Sequence, residues 1–105
     1  MPADATPVVI APEGEIDLSS SPLVKEQFAP VIAARRSHVI VDLAGVTYID
    51  SSGLAVFIEA LQGVQGYGGR FSLCGLRAGV QHIFSIARLD QVFRIFPDQA
   101  TALAG

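Results

Sequence analysis

The stretch Tyr48-Ile49-Asp50-Ser51-Ser52-Gly53-Leu54 decides the fold, because the chain passes there from a buried strand into a helix. Two hydroxyls and one carboxylate, from Ser51, Ser52 and Asp50, lie where the two elements join. Polar side chains concentrated at such a join are more informative than those in the middle of either element. We therefore expect the functional site at this point of the chain.

A strand precedes the join and a helix follows it. Residues 39–43 are a short β-branched run with polar residues before it and a glycine after it, which is typical of a strand covered on both faces. After the join, apolar residues recur at the spacing of one helix face, at Leu54, Phe57, Ile58 and Leu61. This spacing predicts a helix from about Ser52 to Gly63 or Gly66.

The first turn of that helix is a suitable place for negative charge. Its backbone N–H groups have no partner within the helix, and the helix dipole favours anions there. Asp50, Ser51 and Ser52 occupy the positions where cap residues belong. Serine before a helix is most simply a cap, so the residues alone leave capping and modification open for Ser51 and Ser52. A phosphate on either hydroxyl suits the position.

Further strands are predicted on both sides of this central unit. Residues 8–16 are expected to be extended with a break at Pro12, and residues 71–74 and 94–96 read as two short strands. Because they alternate with helical patterns, we expect an α/β layer fold with mostly parallel strands.

Three further helices are predicted. The first begins with Ser21 as its cap, the second covers residues 80–87, and a final short helix follows the capping residue Asp98. Pro30 falls within the first of these helices, where it removes a backbone hydrogen bond. We therefore expect a kink or a division of that helix near residues 26–27.

Composition indicates one domain whose partner is a protein. With 105 residues, half of them hydrophobic, the chain can form one core but not two, so residues 1–105 are expected to be a single domain with residues 1–7 as a short flexible leader. The net charge of -3 argues against nucleic acid and against an anionic membrane surface. No apolar run approaches the roughly 20 residues of a membrane span, so no membrane insertion is expected.

Cysteine and histidine give no sign of a metal or a cofactor. The single cysteine, Cys74, excludes an internal disulfide and is expected to be a small buried hydrophobe in a cytoplasmic protein. His38 and His82 are expected at solvated positions, and neither has a metal-ligand partner at useful spacing. No cofactor is expected.

Four segments in order carry a family resemblance: Gly-Glu-Ile-Asp at 14–17, Asp-Ser-Ser-Gly-Leu at 50–54, Gly-Gly-Arg-Phe-Ser-Leu at 68–73 and Leu-Asp-Gln-Val-Phe at 89–93. They resemble the STAS domain and, more narrowly, the bacterial anti-sigma factor antagonists. The resemblance extends from about residue 8 to about residue 103. Ala55 departs from it, since a glycine would be expected there. The resemblance implies a small STAS-like α/β domain with a mixed, mostly parallel sheet of four to five strands and helices mainly on one face.

The resemblance also implies roles for individual residues. Ser51, directly after the aspartate, matches the serine that a partner kinase phosphorylates, while Ser52 is expected mainly to cap the helix and is the alternative target. Asp17 is expected to approach the Ser51 loop from a neighbouring strand end, although it also suits a turn. The residues expected to form the partner-binding loop and its surroundings are Asp17, Leu18, Asp50, Ser52, Gly53, Leu54 and Val56.

The mechanism implied by the resemblance is a switch without enzymatic activity. The unmodified domain, a monomer when free, binds an anti-sigma factor that is also a serine kinase, and the sigma factor is released. Phosphorylation of Ser51 ends this binding, and a phosphoserine phosphatase is expected to restore it.

Two other kinds of function remain open. The domain suits a regulatory or scaffold subunit of a transporter complex without a phosphorylation cycle, or another partner-switching pathway with the same chemistry. A serine hydrolase is disfavoured, because Ile49 stands where the nucleophile motif needs a glycine. The glycine-rich residues 63–70 follow a helix and lack the lysine of a phosphate-binding loop, so they read as a turn.

Overall fold

A computed structural model describes residues 6–105, so residues 1–5 of the predicted leader lie outside the described residues. In chain order the strands are β1 (Val8–Ile10), β2 (Gly14–Ile16), β3 (His38–Asp42), β4 (Val46–Ile49), β5 (Arg70–Cys74) and β6 (Arg94–Phe96). The helices are α1 (Ser21–Ala33), α2 (Ser51–Gly66), α3 (Ala78–Ile86) and α4 (Gln99–Ala104), with a 3-10 turn at Leu89–Gln91.

The strands form two small sheets. A four-stranded sheet has the order β1-β3-β5-β6, and a two-stranded sheet pairs β2 with β4. Within residues 6–105 every recorded strand pairing is parallel. The α/β class and the mostly parallel sheet predicted from the sequence are confirmed.

Most of the core lies between one face of the larger sheet and helices α1, α2 and α3. Five phenylalanines from these helices, from β5 and from the segment before β6 contact one another in a closed circle, with centroid distances of 5.6–6.4 Å. They are Phe28, Phe57, Phe71, Phe84 and Phe93. Stacked and edge-to-face contacts of this kind add to the stabilisation that burial itself provides.

The opposite face of the larger sheet carries a second, smaller cluster. Ile40 and Cys74 point to this face, because the residues on either side of Ile40 in β3 belong to the main core. Helix α4 covers the cluster with Ala102, and Phe96 packs beside it. Three helices therefore pack on the main core and one short helix covers the second face, which agrees with helices mainly on one side.

Two predictions about local structure were wrong. Helix α1 is continuous through Pro30. Pro30 has no N–H group to donate to the Glu26 carbonyl, but both residues lie on the exposed side of the helix, so water can donate to that carbonyl instead. Its N-cap is Ser20, one residue before the predicted Ser21, and Ser20 Oγ donates to the Glu15 carbonyl at 2.8 Å.

A third prediction, a solvated His38, was also wrong. His38 is the first residue of β3 and is only 2% exposed. The register of the sheet places it opposite Arg70, whose Nη2 lies 3.4 Å from His38 Nδ1. Burial, followed by the charges of Arg70 and Arg94, lowers the pKa of His38. His82 is exposed on α3 as expected, and Cys74 is buried as expected.

Candidate functional site

The Ser51 loop, defined as residues 50–53, lies at the carboxyl end of the smaller sheet. The parallel register pairs Ile16 with Ile49, so the residues that follow them, Asp17 and Asp50, leave adjacent strand ends. The Asp50 backbone N–H donates to the Ile16 carbonyl at 3.0 Å and fixes this arrangement. The expected approach of Asp17 to the loop is therefore observed.

Asp50, and not Ser52, is the N-cap of α2. Its Oδ1 accepts hydrogen bonds from the backbone N–H groups of Ser52 at 2.9 Å and Gly53 at 3.2 Å. The Ser52 hydroxyl donates to the same oxygen at 2.5 Å. The expectation that Ser52 serves mainly as the cap was wrong. An ionised carboxylate such as that of Asp50 is a stronger hydrogen-bond acceptor for the backbone N–H groups than the neutral hydroxyl of a serine.

This network sets the charge state of Asp50. The Ser52 hydroxyl, followed by the Gly53 and Ser52 backbone donors, lowers the pKa of Asp50, and burial and the nearby Asp17 oppose the shift. The first turn of α2 thus already holds one negative charge, so a phosphate there would add to an existing anion.

The two serines differ in their availability. Ser51 is exposed, and its hydroxyl makes no hydrogen bond within residues 6–105. Ser52 is half-buried, and its hydroxyl is held by Asp50. Because a modifying enzyme needs a hydroxyl that it can reach and deprotonate, the geometry favours Ser51 over Ser52 as the acceptor of a modification.

Asp17 organises the turn that faces the loop. Its Oδ1 accepts from the backbone N–H groups of Ser19 and Ser20, both at 3.0 Å, and from their hydroxyls at 2.7 and 3.2 Å. The Ser19 hydroxyl is the largest of the causes that lower the pKa of Asp17. Asp17 is therefore both a turn residue and an anionic neighbour of the Ser51 loop.

Gly53 allows the loop to pack against both strands of the smaller sheet. A Cβ atom at this position would lie 2.7 Å from Ile16 Cγ2, 2.7 Å from Ile49 Cγ1 and 3.1 Å from the Ile16 carbonyl oxygen. Only glycine fits without displacing one of these groups. The sequence named Gly53 as a loop residue, and the structure supplies the reason.

The apolar residues expected at the partner surface fall into two groups. Leu18 is 78% exposed, in the turn made by Asp17. Leu54 is half-buried against the core, and Val56 is buried, so the expected exposure of Val56 was wrong. Val56 lines a cavity of about 310 Å³ between α1 and α2, because the helical period turns it away from the Ser51 side. Leu23, which lies in the first turn of α1 and is 61% exposed, was not predicted from the sequence. Its place outside the apolar stripe of that helix is the signal that could have identified it.

No group of three or more His, Cys, Asp or Glu side chains able to hold a metal ion occurs within residues 6–105. In the same part of the chain no helix is long and apolar enough to cross a membrane. The site consists of one free hydroxyl, two carboxylates and exposed leucines, an arrangement suited to a modifiable protein contact.

This fold and this loop define the class of the protein. The model of the STAS domain family matches residues 1–102, and the chain belongs to that family. Its relatives place it more narrowly among the anti-sigma factor antagonists. It is 33% identical over 82 residues to the anti-sigma-B factor antagonist of Bacillus subtilis, covering 78% of this chain and 74% of the relative. It is 25% identical over 97 residues to the anti-sigma F factor antagonist of Paenibacillus polymyxa, covering 91% and 83%.

Solved structures agree on the fold. Protein TM1081 of Thermotoga maritima superposes with a TM-score of 0.88 at 23% identity, covering 98% of this chain and 91% of that one. A sulfate transporter family protein from Wolinella succinogenes superposes with a TM-score of 0.77 at 16% identity, covering 93% and 82%. At these identities the likeness concerns the fold alone.

Proposed function

We propose that the protein is an anti-sigma factor antagonist controlled by phosphorylation of Ser51. The unmodified domain binds an anti-sigma factor that is also a serine kinase, so the sigma factor is released. The kinase transfers the γ-phosphoryl group of ATP to Ser51 Oγ, and the modified domain no longer binds. A phosphoserine phosphatase hydrolyses the ester and restores binding.

The observation that carries this proposal is the difference between the two serines of one loop. Ser51 is exposed and without a hydrogen bond in the described chain, whereas Ser52 is half-buried and bound to Asp50. Exposed leucines, Leu18 and Leu23, lie near the Asp17 turn and supply apolar area for a protein contact. The names of the relatives support an anti-sigma factor as the partner.

Electrostatics at the interface, and not unfolding, explains why the phosphate would end binding. The group adds a charge of about -1.5 to -2 at pH 7. At a helix N-terminus negative charge stabilises by about 0.3–1 kcal/mol, but the Asp50 carboxylate already accepts two of the N–H groups there. The domain is therefore expected to stay folded after phosphorylation.

The same phosphate becomes costly once a partner excludes water from the loop. It then lies beside Asp50 and near Asp17, which leave adjacent strand ends and already repel each other. Like charges brought together in a desolvated interface cost several kcal/mol. Since each 1.4 kcal/mol is about a tenfold change in affinity, this penalty is large enough to release the partner.

The first experiment identifies the partner. The unphosphorylated protein, carried on a column, is used to capture proteins from its host cell extract, and the retained proteins are identified by mass spectrometry. Recovery of a protein with a histidine-kinase-like ATPase domain supports the proposal. Recovery of a permease or a transport ATPase in its place supports the transporter reading, for which the fold similarity to the Wolinella protein is the motive.

The second experiment tests the modified residue. The captured kinase and ATP are incubated with the native protein, with Ser51→Ala and with the matched control Ser52→Ala. We expect one phosphate on the native protein and on Ser52→Ala, and none on Ser51→Ala, while Ser51→Ala still binds the kinase. Phosphate on Ser52 alone would overturn the site assignment.

A further inference from the structure

Charge is separated between the two ends of the strands. Four aspartates lie at or just beyond the carboxyl ends of β2, β3, β4 and β6: Asp17, Asp42, Asp50 and Asp98. Most of the cations lie elsewhere, Arg77 after β5 being an exception. In a chain with a net charge of -3, such separation leaves one end of the molecule positive despite the overall sign.

The cationic end consists of the amino ends of three adjacent strands, here named the amino edge. Arg70 is the first residue of β5 and Arg94 the first of β6, while Arg35 and Arg36 are separated from β3 by Ser37 alone. These four arginines are more than half of the seven lysines and arginines in the chain. The sheet order β3-β5-β6 makes the three strand ends neighbours.

Contacts at the amino edge join its neighbouring strands and hold its guanidinium groups. The Arg70 backbone N–H donates to the Ser37 carbonyl at 2.8 Å, and Arg70 Nη2 lies 3.4 Å from His38 Nδ1. Arg35 stacks over Tyr67, with its guanidinium carbon 5.4 Å from the ring centroid. Arg94 stacks likewise over Phe96 at 5.5 Å. Aromatic rings thus hold the guanidinium groups of Arg35 and Arg94, whereas Arg70 Nη1 donates a hydrogen bond to the Gly105 carbonyl.

Three arginines of this edge lack a carboxylate partner among the described side chains. Arg35, Arg70 and Arg94 form no ion pair within residues 6–105, where Lys25 and Glu59 make the recorded pair. Asp90, in the 3-10 turn before β6, accepts instead from the Ser85 hydroxyl. Described side-chain carboxylates therefore do not neutralise Arg35, Arg70 or Arg94.

Two buried side chains on the same sheet face add unused hydrogen-bonding groups. A guanidinium only donates, so His38 Nδ1 accepts from Arg70 and the ring hydrogen of the neutral imidazole lies on Nε2. His38 Nε2 and the Ser72 hydroxyl are both buried without a partner in the described chain. The strand register places Ser72 beside Arg94 and two residues from Arg70.

Stabilisation of helix ends explains only part of this arrangement. Cations near a helix C-terminus contribute about 0.3–1 kcal/mol each, and Arg35 follows the end of α1. Arg94 instead begins a strand and lies over a phenylalanine ring. Stabilisation of helix ends also does not explain why the buried donors of His38 and Ser72 lack acceptors in the described chain.

We propose that the amino edge is a second interaction surface, which binds an acidic segment of a protein partner through Arg35, Arg70 and Arg94. Planar guanidinium groups bind carboxylates with two parallel hydrogen bonds, which suits glutamate or aspartate side chains in an extended segment. An extended anionic membrane surface fits less well, because the aspartates of the rest of the molecule would be repelled. This surface lies at the opposite strand ends from Ser51 and does not depend on the proposed switch.

The test uses a fluorescein-labelled peptide of eight glutamates and an octaglutamine peptide with the same label. Binding is followed by fluorescence anisotropy at low and at physiological salt. We expect saturable binding of the glutamate peptide alone, weakening steeply with salt. The double variant Arg35→Gln with Arg94→Gln is expected to bind at least about tenfold more weakly, a loss of about 1.4 kcal/mol.

A charge-matched control separates the surface from net charge. Lys25→Gln with Arg77→Gln removes the same two positive charges, from a helix groove and from the carboxyl side of the sheet, and is expected to change affinity by less than about twofold. In NMR spectra the peptide is expected to raise the pKa of His38, because an added anion favours the imidazolium form. The backbone signals around exposed His82 are expected to stay unshifted.

Four outcomes would overturn the proposal. They are no saturable binding, equal losses in the two double variants, binding to vesicles of anionic phospholipid in preference to the peptide, and concentration-dependent self-association that the Arg35→Gln, Arg94→Gln variant abolishes. The last two would assign the surface to a membrane or to a second copy. Peptide binding that is unchanged in Ser51→Asp supports the independence of the two surfaces, so failure here leaves the proposed switch intact.

Discussion

Replacement of Gly53 by alanine has two opposite effects on stability, a gain in helix propensity and a steric overlap with the core, and the structure allows their sizes to be compared. Gly53 is the third residue of α2, and alanine there would gain up to about 1 kcal/mol of helix propensity. The new Cβ would lie 2.7 Å from carbon atoms of both Ile16 and Ile49. Favourable contacts between carbon atoms are about 3.5–4.0 Å long, so each contact is too short by about 1 Å.

The surroundings cannot relax cheaply. Ile16 and Ile49 are both 1% exposed, and β-branched side chains have few alternative rotamers. The Ile16 carbonyl, 3.1 Å from the added atom, is held by the Asp50 N–H. Overpacking of a tight core costs about 1–3 kcal/mol, and two simultaneous overlaps place Gly53→Ala near the upper limit. After the gain in propensity we expect a net loss of about 2–3 kcal/mol.

The matched control is Gly79→Ala in α3, where an added Cβ meets nothing within 4 Å. We expect it to stabilise the protein by about 0.4–1 kcal/mol. Urea denaturation followed by circular dichroism, at equal m-values, measures both variants. If Gly53→Ala proves as stable as Gly79→Ala, the close packing of the Ser51 loop on the two isoleucines is refuted, and with it the fixed placement of Ser51.

Three further predictions concern charge. For Ser51→Asp, the free energy of unfolding is expected to lie within about 0.5 kcal/mol of the native value, and the captured partner is expected to bind at least about tenfold more weakly. Urea melts and calorimetric titration on one preparation measure the two quantities. Normal binding would count against gating by charge. Because the pKa of His38 is lowered in the folded state, the unfolded chain takes up more protons as pH falls through 6.5, so stability should decrease from pH 7 to pH 5; a His38→Phe variant with the same pH dependence would contradict this. Burial, followed by the charges of Asp42 and Asp98, raises the pKa of Cys74 to about 11. At pH 8 the reaction of Cys74 with a disulfide reagent should therefore be at least about a hundredfold slower in the native protein than in urea. Comparable rates would show that the thiol is accessible in the folded state.

Local sequence signals identified the helices and the position of the site. The apolar spacing from Leu54 to Leu61 predicted α2, and Asp50-Ser51-Ser52 marked its beginning. Asp98 was correctly predicted as the cap of the last helix, where it forms a capping box with Thr101. These features depend on residues within one or two turns of each other, so the sequence contains all the information that they need.

Sequence patterns did not predict which strands pair when they lie far apart in the chain. Strand β4 has only four residues and no distinct pattern, and it was not separated from the strand before it. Its pairing with β2 brings Asp17 next to Asp50, although 33 positions separate them. The burial of His38 likewise follows from the strand register that sets it opposite Arg70. Short strands gain their stability from partners that a local window does not include.

By itself, the sequence determined the α/β class, the start of α2 and the loop that contains both serines. Only the tertiary structure distinguished the two hydroxyls, since Asp50 accepts from that of Ser52 and the exposed Ser51 hydroxyl makes no hydrogen bond within residues 6–105. It also placed a positive edge on a negative protein, because parallel strands gather their amino ends on one side. Hydrogen-bond geometry and strand order are properties of three-dimensional packing, and neighbouring residues in the chain do not specify them.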